Sequence, residues 1–320
     1  MTSPVSERTD VPAPSVGRLL KVTRTVKAYV ALTKPRIIEL LLITTLPTMV
    51  LAAQGFPSIW LMLSTLIGGT LSAGSANAFN MYLDRDIDAV MKRTQGRPLV
   101  TGAVSPRAGI TFAWVLAFVS TAWFYFVVGS WLATVLSITA ILIYTVGYTM
   151  ILKRRTSQNI VWGGAAGAMP VFIGWAAVTQ EISWTPAVLS LIIFLWTPPH
   201  YWPLALKFRK DYAHAEVPML PVVTGPLTVA KQMIAYAVAM VAVSLVLVPL
   251  ANMSWIYVAA ALGFGVWFIG GCYALYRRSV AGAKLHSMRL FRDSILYLSV
   301  VFAAVLADPF WPDALRVWQG

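Results

Sequence analysis

Long stretches without charge constrain the fold of this chain more than any other feature of its sequence. Five such stretches hold no Asp, Glu, Lys or Arg, and about 20 such residues are enough to span a bilayer. They cover residues 131–152, 160–178, 182–206, 232–253 and 255–276. Lipid offers no hydrogen-bond partner to a free backbone amide, so each stretch must be helical. The sequence therefore predicts an all-α, polytopic membrane protein.

Composition agrees with this class, and the hydropathy pattern indicates how many helices there are. The chain has 320 residues, of which 58% are hydrophobic and 12% charged, whereas a soluble domain carries about 25% charged residues. We predict that residues 35–311 form nine transmembrane helices bundled around a central cavity open to the cytoplasmic side. Their approximate ranges are 37–54, 58–83, 108–127, 130–152, 159–178, 184–206, 229–250, 255–276 and 291–308.

The basic residues predict the orientation of this bundle. Of the 25 Lys and Arg residues, all except Arg316 fall on one side of the nine spans. By the positive-inside rule that side is the cytoplasm, which predicts a cytoplasmic N-terminus and a C-terminus on the opposite side. Residues 1–34 are then a disordered cytoplasmic tail, and residues 312–320 a short tail on the other face. This topology accounts for the net charge of +13 without a nucleic-acid partner, and we expect none.

Small residues provide two further expectations. Glycine-rich runs at 163–168 and 263–271 predict helix faces that pack closely. The single cysteine, Cys272, excludes an intrachain disulfide and a cysteine-built metal site. We expect Cys272 to be a packing residue.

A cluster of acids stands in the first large basic loop, where the second span ends. Asn80, Asp84 and Asp88 are spaced by four, so on a helix each lies only ~40° round from the last. Asp86 is turned by ~200° from Asp84 and points to the opposite face. Two carboxylates and a carboxamide are oxygen ligands that suit Mg²⁺, which commonly holds phosphate oxygens as well. The acid stripe Asn80–Asp84–Asp88 therefore predicts a site for Mg²⁺ and diphosphate.

Bases near the acid stripe are candidates for binding the phosphate oxygens that a metal leaves free. Arg93 and Arg97 lie one helical turn apart in the same loop, and Tyr148, Lys153 and Arg154 end the fourth span. Two simpler interpretations stay open. The acids can be solvated or paired with neighbouring bases, and the bases can serve topology alone. An amide such as Asn80 inside a membrane is nevertheless costly without a role or a partner.

The sixth span carries an unusual polar segment. Pro198 and Pro199 remove backbone donors, which predicts a broken helix beside a cavity. His200 follows them directly, with aromatic residues on both sides. A histidine in such a place is a candidate general base, metal ligand or hydrogen-bonding group, with a buried structural histidine as the alternative.

The loop after the sixth span resembles the loop after the second. Each begins as a helix ending in charge, carries an acid and closes with proline, at 96–99 and 217–221. Lys207 and Asp211 lie one helical turn apart in the later loop. Their simple interpretation is a surface ion pair worth about 0.3 to 0.5 kcal/mol. The likeness of the two loops suggests two halves that meet over one central cavity.

Together these features describe a cavity with acids for Mg²⁺ and bases for phosphate above apolar walls. A ligand that fits has a phosphate head and a long hydrocarbon tail, and an isoprenyl diphosphate is the common cellular example. Its chemistry needs cations to stabilise the departing diphosphate and aromatic faces to shelter an allylic cation.

The acid stripe on the second of nine spans resembles the first signature of the UbiA superfamily of intramembrane prenyltransferases. The segments DRDIDAVMKRTQGRPLVTG, YTMILKRRTSQNIVWGGAAGAMPVFIGW and WTPPHYWPLALKFRKDYAHAEVPMLPVV are similar to its haem-farnesylating branch. The resemblance covers roughly residues 30–310. It implies that farnesyl diphosphate and haem B are substrates, Mg²⁺ the cofactor, and haem O and diphosphate the products. It also implies an inner-membrane location and a haem A synthase acting downstream.

The resemblance also implies roles for individual residues. Asn80, Asp84 and Asp88 hold Mg²⁺ and diphosphate, and the bases named above contact phosphate. Lys207 and Asp211 act from the second loop, and His200 and Trp202 are candidates for the haem end. The sequence departs from the superfamily pattern at Ala215, where a second acid is usual, and at Glu216, where this branch usually has glycine. Whether a second, symmetric Mg²⁺ binds is therefore left open, and Lys207 is the candidate to supply positive charge in its place.

Two other functions remain open at this point. One keeps the prenyl chemistry but uses a quinone precursor or another aromatic ring as acceptor. The other is a transporter of haem or an anionic lipid, favoured by a discontinuous sixth span. The transporter would need a second gate, but the sequence predicts no matching polar cluster in the outer half of the bundle.

Overall fold

The structure, a computed structural model, describes residues 14–317, with the backbone alone for residues 14–20, 36–42 and 313. Within that range the chain is almost entirely helical, and its one β bridge joins Ser254 to Arg316. The helices are α1 (Pro14–Thr33), α2 (Pro35–Ala53), α3 (Ile59–Leu83), α4 (Arg85–Val90), α5 (Pro106–Trp123), α6 (Trp131–Leu142), α7 (Asn159–Thr179), α8 (Trp184–Lys207), α9 (Arg209–His214), α10 (Leu220–Val223), α11 (Pro226–Ala251), α12 (Trp255–Val280) and α13 (Ser287–Ala307). Helix α5 continues as a π-helical turn over Phe124–Val128, and α6 as a π-helical segment over Ile143–Leu152.

Local sequence signals explain where several helices begin. The side chain of Ser58 accepts a hydrogen bond from the backbone N–H of Leu61 at 3.2 Å. Ser105, Ser130 and Ser254 cap α5, α6 and α12 in the same way. A serine at this position satisfies one of the free N–H groups of the first turn. Short polar connections between apolar helices therefore set the boundaries of the bundle.

Each predicted span coincides with one long helix, namely α2, α3, α5, α6, α7, α8, α11, α12 or α13. Seven of them, all except α2 and α8, are long and apolar enough to cross a membrane. In α2 only Ile43–Ala53 enters that assessment, and α8 is made more polar by its prolines and His200. The protein is thus a multi-pass membrane protein, and the full number of nine spans stays a prediction.

The N-terminal segment differs from the predicted disordered tail. Residues 1–13 lie outside the described residues, but Pro14–Thr33 form α1. Leu32 is fully buried against α3 and its neighbours, and the ring of Tyr29 packs edge-on against Phe112 at 5.0 Å. The prediction of disorder was wrong for this segment because apolar residues on one face of the helix find a partner only in the folded bundle.

Helix α8 is continuous, so the predicted break in the sixth span was wrong. Pro198, Pro199 and Pro203 all lie inside the helix, and all three are buried. The neighbouring α7 packs closely here, with Gly164 against Thr197. Close neighbours allow a membrane helix to tolerate proline, because they hold the segment in place and can satisfy the freed backbone groups.

The two ends of the bundle differ in character. At one end the loops after α3, α6 and α8 approach one another, and Arg93 donates to the hydroxyl of Tyr212 at 3.4 Å. At the other end Phe56 packs on Phe310 at 4.7 Å, and Ser254 bonds to Asp308. Between them lies a core built mainly from α8, α11, α12 and α13. Cys272 is fully buried in this core.

Candidate active site

The acid stripe extends over the junction between two helices. Helix α3 ends at Leu83 and α4 begins at Arg85, with Asp84 at the junction. The backbone N–H of Asp84 still donates to the carbonyl of Asn80 at 2.9 Å, and that of Asp88 to Asp84 at 2.8 Å. The helical ladder therefore continues, and the three side chains share one face. They are 3%, 0% and 2% exposed, whereas the side chain of Asp86 is 61% exposed.

Each member of the acid stripe is held by a cation from elsewhere in the chain. Lys153 forms an ion pair with Asp84. Arg97 donates to Asp88 at 2.5 Å. The third cation bonds to the amide oxygen of Asn80, whose NH₂ group donates to Asp84 at 2.8 Å. A buried carboxylate needs such partners, because an isolated charge away from water is costly.

The third cation is Lys34, which the sequence had suggested only as part of the basic tail. Its Nζ donates to Asn80 Oδ1 at 2.6 Å. Lys34 adopts a left-handed backbone conformation (φ 53°) between α1 and α2. The adjoining turn is fixed to α3, since Asn77 donates to the carbonyl of Thr33 at 2.9 Å. Burial, with Arg97 and Lys153 nearby, lowers the pKa of Lys34 to about 7.

One signal in the sequence marks a turn at Lys34, although it does not predict the contact with Asn80. Lys34 precedes Pro35, and the residue before a proline is disfavoured in a helix, so the chain must turn there. A turn close to the end of α3 brings the lysine to the acid stripe.

One oxygen of Asp84 accepts no hydrogen bond from any described residue. Asp84 Oδ1 is buried, and a guanidinium nitrogen of Arg154 lies 3.9 Å from it. Such an atom is rare in a protein interior. The oxygen atoms beside it, on Asp84, Asp88 and Asn80, are hard ligands of the kind that Mg²⁺ prefers. Among the described residues no three His, Cys, Asp or Glu side chains group closely enough to hold a metal, so a cation bound here would need further oxygen ligands, such as water or phosphate.

Arg154 pairs with the acid on the opposite face. Its guanidinium donates to both carboxylate oxygens of Asp86, at 2.7 Å each. This bond is the main reason that the pKa of Asp86 is lowered to about 2. Ion pairing, the simpler interpretation of these acids, therefore occurs at Asp86 as well as at the buried Asp84 and Asp88.

The π-helical segment after α6 carries the next group of predicted residues. Its wider turn lets the backbone N–H of Lys153 donate to the carbonyl of Tyr148 at 2.8 Å. Thr149 accepts from Asn80 Nδ2 at 3.1 Å and so joins this segment to the acid stripe. Tyr148 stacks on Tyr144, with ring centroids 5.6 Å apart. Single π-helical turns are frequent at functional sites.

An apolar cavity lies next to the acid stripe, between α2, α3, α6 and α7. It contains about 820 Å³ of space free of atoms, counting the part open to the outside. Leu66, Ala73 and Ile173 contribute apolar walls, and Asn77 and Tyr144 also line it. Asn77 stands one helical turn before Asn80, so the cavity begins where the polar site ends. Its small and apolar lining suits a hydrocarbon chain.

The loop after α8 reaches the site through Tyr212 and Phe208. The hydroxyl of Tyr212 accepts from Arg93, whose guanidinium lies 5.6 Å from the ring centre of Phe208. Lys207 is exposed and Asp211 half-buried, and the two make no ion pair within the described part of the chain. Arg93 thus connects the two loops, while the roles of Lys207 and Asp211 stay predictions.

His200 is held in a defined orientation. Its ring lies between those of Trp196, at 4.0 Å, and Phe291, at 4.5 Å. Its Nδ1 lies 2.7 Å from the hydroxyl of Ser294. The same hydroxyl lies 2.7 Å from the carbonyl oxygen of Phe291. When its proton goes to that carbonyl, Nδ1 of His200 donates to Ser294 and Nε2 keeps a lone pair.

Trp202 lies in different surroundings. It is fully buried in the core and packs against Tyr236 at 5.6 Å. Its indole N–H makes no hydrogen bond to any described residue. Burial in the core is typical of a packing residue, whereas a free N–H would suit a ligand, so the contact of Trp202 with haem stays a prediction.

The fold is similar to that of several solved membrane proteins. A digeranylgeranylglyceryl phosphate synthase superposes with a TM-score of 0.73 at 15% identity, over 89% of this chain and 98% of the other. A UbiA homologue from Archaeoglobus fulgidus, bound to DMAPP and Mg²⁺, superposes with a TM-score of 0.62 at 17% identity, over 87% and 98%. At such identities the likeness concerns the fold.

Sequence comparison is more specific. Proteins named protoheme IX farnesyltransferase are 56% identical in Leifsonia xyli, over 93% of this chain and 96% of the relative, and 58% identical in Streptomyces avermitilis, over 89% and 94%. The one from Paenarthrobacter aurescens is 51% identical over 98% and 99%. The model of the UbiA prenyltransferase family matches residues 41–295. The chain therefore belongs to the UbiA prenyltransferase family.

Proposed function

We propose that this protein is a Mg²⁺-dependent prenyltransferase that moves the farnesyl group of farnesyl diphosphate to a vinyl group of haem B. Water adds in the same reaction, and the products are haem O and diphosphate. The names of the relatives support this activity. The observation in the structure that carries it is the buried acid stripe, with its unpartnered Asp84 oxygen, beside an apolar cavity.

Asn80, Asp84 and Asp88 are the residues that hold Mg²⁺ in this proposal. When bound, Mg²⁺ neutralises charge on the departing diphosphate. The unpartnered Asp84 Oδ1 supports the assignment, because a ligand would satisfy it. Solved structures of a UbiA homologue from Archaeoglobus fulgidus hold Mg²⁺ together with DMAPP or GPP.

The surrounding cations bind the diphosphate. Lys34, Arg97 and Lys153 contact the acid stripe already, so phosphate oxygens placed there lie within reach of all three. Charge-assisted bonds of this kind are about twice as strong as neutral ones. Arg93, Arg154 and Tyr148 are proposed as further contacts, and Lys207 and Asp211 act from the opposite loop.

The apolar cavity holds the farnesyl chain. Its lining from four helices leaves the reacting end beside Asn77 and the acid stripe. When the C–O bond breaks, the electron pair leaves with the diphosphate and an allylic cation remains. Tyr144 and Tyr148 stack at this end of the cavity, where aromatic faces stabilise positive charge and exclude water.

The vinyl group of haem B then donates its π electrons to the allylic cation, forming a C–C bond. The positive charge passes to the neighbouring vinyl carbon, which takes the oxygen of water and releases a proton. We assign His200 to the haem end. Its Nε2 lone pair, fixed by the bond from Nδ1 to Ser294, can accept a proton or bind iron.

The proposed location is the inner membrane of a bacterium, with the acid stripe at the cytoplasmic end. The distribution of Lys and Arg supports this orientation. It places the N-terminus in the cytoplasm and residues 312–320 on the other side. The product leaves within the bilayer, where a haem A synthase is the proposed next enzyme.

One experiment tests the acceptor. Purified protein is incubated with farnesyl diphosphate, Mg²⁺ and either haem B or 4-hydroxybenzoate, and the products are weighed by mass spectrometry. We expect the mass of haem O with haem B and no prenylated product with 4-hydroxybenzoate. A prenylated benzoate would assign the protein to quinone synthesis. Uptake of haem into proteoliposomes without any product would instead favour transport, which the continuous α8 no longer supports.

A further inference from the structure

A second cavity opens between α12 and α13, outside the proposed active site. It contains about 880 Å³ of space free of atoms, counting the part open to the outside. We call it the cationic groove. Its lining includes Trp267, Gly270, Ala274, Arg278, His286 and Arg289.

The wall formed by α12 is open rather than packed. Trp267, Gly270, Ala274 and Arg278 follow one another at spacings of three and four, so they share one helix face. A Cβ atom added at Gly270 would meet nothing within 4 Å, whereas one at Gly271 would lie 2.9 Å from Leu290. The prediction of close packing is therefore confirmed at Gly271 and wrong at Gly270.

Positive charge collects at one end of the cationic groove. Arg278 is half-buried and makes no ion pair with any described residue. Arg289 is 74% exposed and lies 3.9 Å from the only acid in the lining, Asp293. One carboxylate thus faces two guanidinium groups and the imidazole of His286. The groove carries an excess of positive charge at its mouth.

The bilayer determines what meets this surface. Helix α12 is long and apolar enough to cross a membrane, and Arg277 and Arg278 stand in its last turn. Bases at the end of a spanning helix lie at the level of the lipid headgroups, and Trp267 stands about three helical turns deeper in the same helix. The apolar part of the groove then faces the acyl chains.

We propose that the cationic groove binds an anionic phospholipid. The phosphate contacts Arg278 and Arg289, and one acyl chain lies along Ala274, Gly270 and Trp267. Arginine suits this headgroup because its planar fork binds two phosphate oxygens at once. Bases next to a membrane helix attract anionic lipid in general, and the open face at Gly270 adds a slot for the chain. The site is separate from the farnesyl and haem chemistry.

Paired double variants test the headgroup contact. Arg278→Gln with Arg289→Gln removes the charges of the groove, and Arg277→Gln with Lys284→Gln removes two neighbouring charges outside its lining. Retention of phosphatidylglycerol by the purified protein is measured by native mass spectrometry. We expect roughly a tenfold loss in the groove variant, since each base near the membrane strengthens lipid binding severalfold. The control variant and the wild type should agree.

Three results would overturn the headgroup assignment. They are equal loss in both double variants, no loss in either, and equal retention of phosphatidylcholine and phosphatidylglycerol by the wild type. Displacement of phosphatidylglycerol by haem B at equal concentration would assign the groove to haem instead. Thermal unfolding in detergent establishes that all variants are folded.

A second pair of variants tests the acyl slot. Gly270→Leu fills the groove, and Gly263→Leu adds the same side chain to the same helix outside it. Neither glycine has an atom within 4 Å of its added Cβ, so both variants should fold. We expect Gly270→Leu to lose phosphatidylglycerol and Gly263→Leu to keep it. Full retention by Gly270→Leu, with unfolding temperatures equal to the wild type, would refute the acyl slot.

Discussion

Two fully buried aspartates stand at opposite ends of this bundle, and their partners differ. Asp308 accepts from the backbone and hydroxyl of Ser254, at 2.9 and 2.6 Å, and its other oxygen pairs with Arg316. Asp84 pairs with Lys153 through one oxygen, while its other oxygen has no hydrogen bond. Both side chains are 0% exposed.

This difference distinguishes a structural acid from one that serves a ligand. Asp308 has every oxygen satisfied, and it ties the end of α13 to the start of α12 and to the C-terminal segment. Asp84 keeps an oxygen unsatisfied, which is costly in a protein interior. A bound ligand that satisfies the oxygen would offset this energetic penalty.

The largest effect is expected at Asp84. Asp84→Asn should lower prenyl transfer by roughly 10²- to 10³-fold, because it removes charge that stabilises the reacting complex. Mg²⁺ with a farnesyl diphosphate analogue should raise the unfolding temperature of the wild type and not of the variant. The control is Asp86→Asn, two residues away on the exposed face. Wild-type turnover in Asp84→Asn would remove the contrast between the two aspartates.

At Asp308 we expect a loss of stability instead. Asp308→Asn leaves Arg316 without its partner, and breaking a buried pair costs about 3 to 5 kcal/mol. The free energy of unfolding in mixed micelles measures this cost. The double variant Asp308→Asn with Arg316→Met should recover most of it, because no unpaired charge remains. Turnover per folded molecule should stay at the wild-type level, and a drop would show that Asp308 is not purely structural.

A smaller effect is expected at Lys34. Lys34→Met removes the ammonium from Asn80, and we expect the KM for farnesyl diphosphate to rise about tenfold, the equivalent of one charge-assisted hydrogen bond. Lys27→Met is the matched control, because Lys27 is an exposed lysine in α1, the helix that precedes Lys34. If both variants had the same KM, Lys34 would be a topological charge, as the sequence alone had suggested.

The smallest effect is expected at Ser294. Ser294→Ala removes the acceptor that orients His200, and we expect roughly a fivefold rise in the KM for haem B, with the KM for farnesyl diphosphate unchanged. The bond from Trp196 goes to the backbone carbonyl of Ser294 and survives the change. Ser294→Thr keeps a hydroxyl and should restore the wild-type value. Equal changes in both KM values would point to a general loss of packing.

Much of the fold followed from hydropathy. The nine long helices lie where uncharged stretches predicted them, because a membrane span needs a fixed length of apolar residues. The predictions of a disordered α1 and of a broken α8 failed for a common reason. An amphipathic helix such as α1 and a helix with three prolines such as α8 are each unstable as isolated segments. In the bundle, neighbouring helices cover the first and support the second.

The candidate site followed from spacing only in part. Asn80, Asp84 and Asp88 share a buried face, as a four-residue interval requires on a helix. Asp86 falls on the exposed face for the same reason. Helical periodicity predicts no contacts between distant segments. The approach of Lys34 to Asn80, 46 residues away, depends on how a turn between two helices packs against a third.

The sequence by itself thus determined the class, the helices and the acid stripe, since these depend on hydropathy and on the period of the α-helix. Only the tertiary structure decided which cation holds each acid, which oxygen of Asp84 is left unpartnered among the described residues and which hydroxyl Nδ1 of His200 meets. Those properties arise from side chains that meet across helices, and their energies depend on burial and hydrogen bonds that exist only after packing.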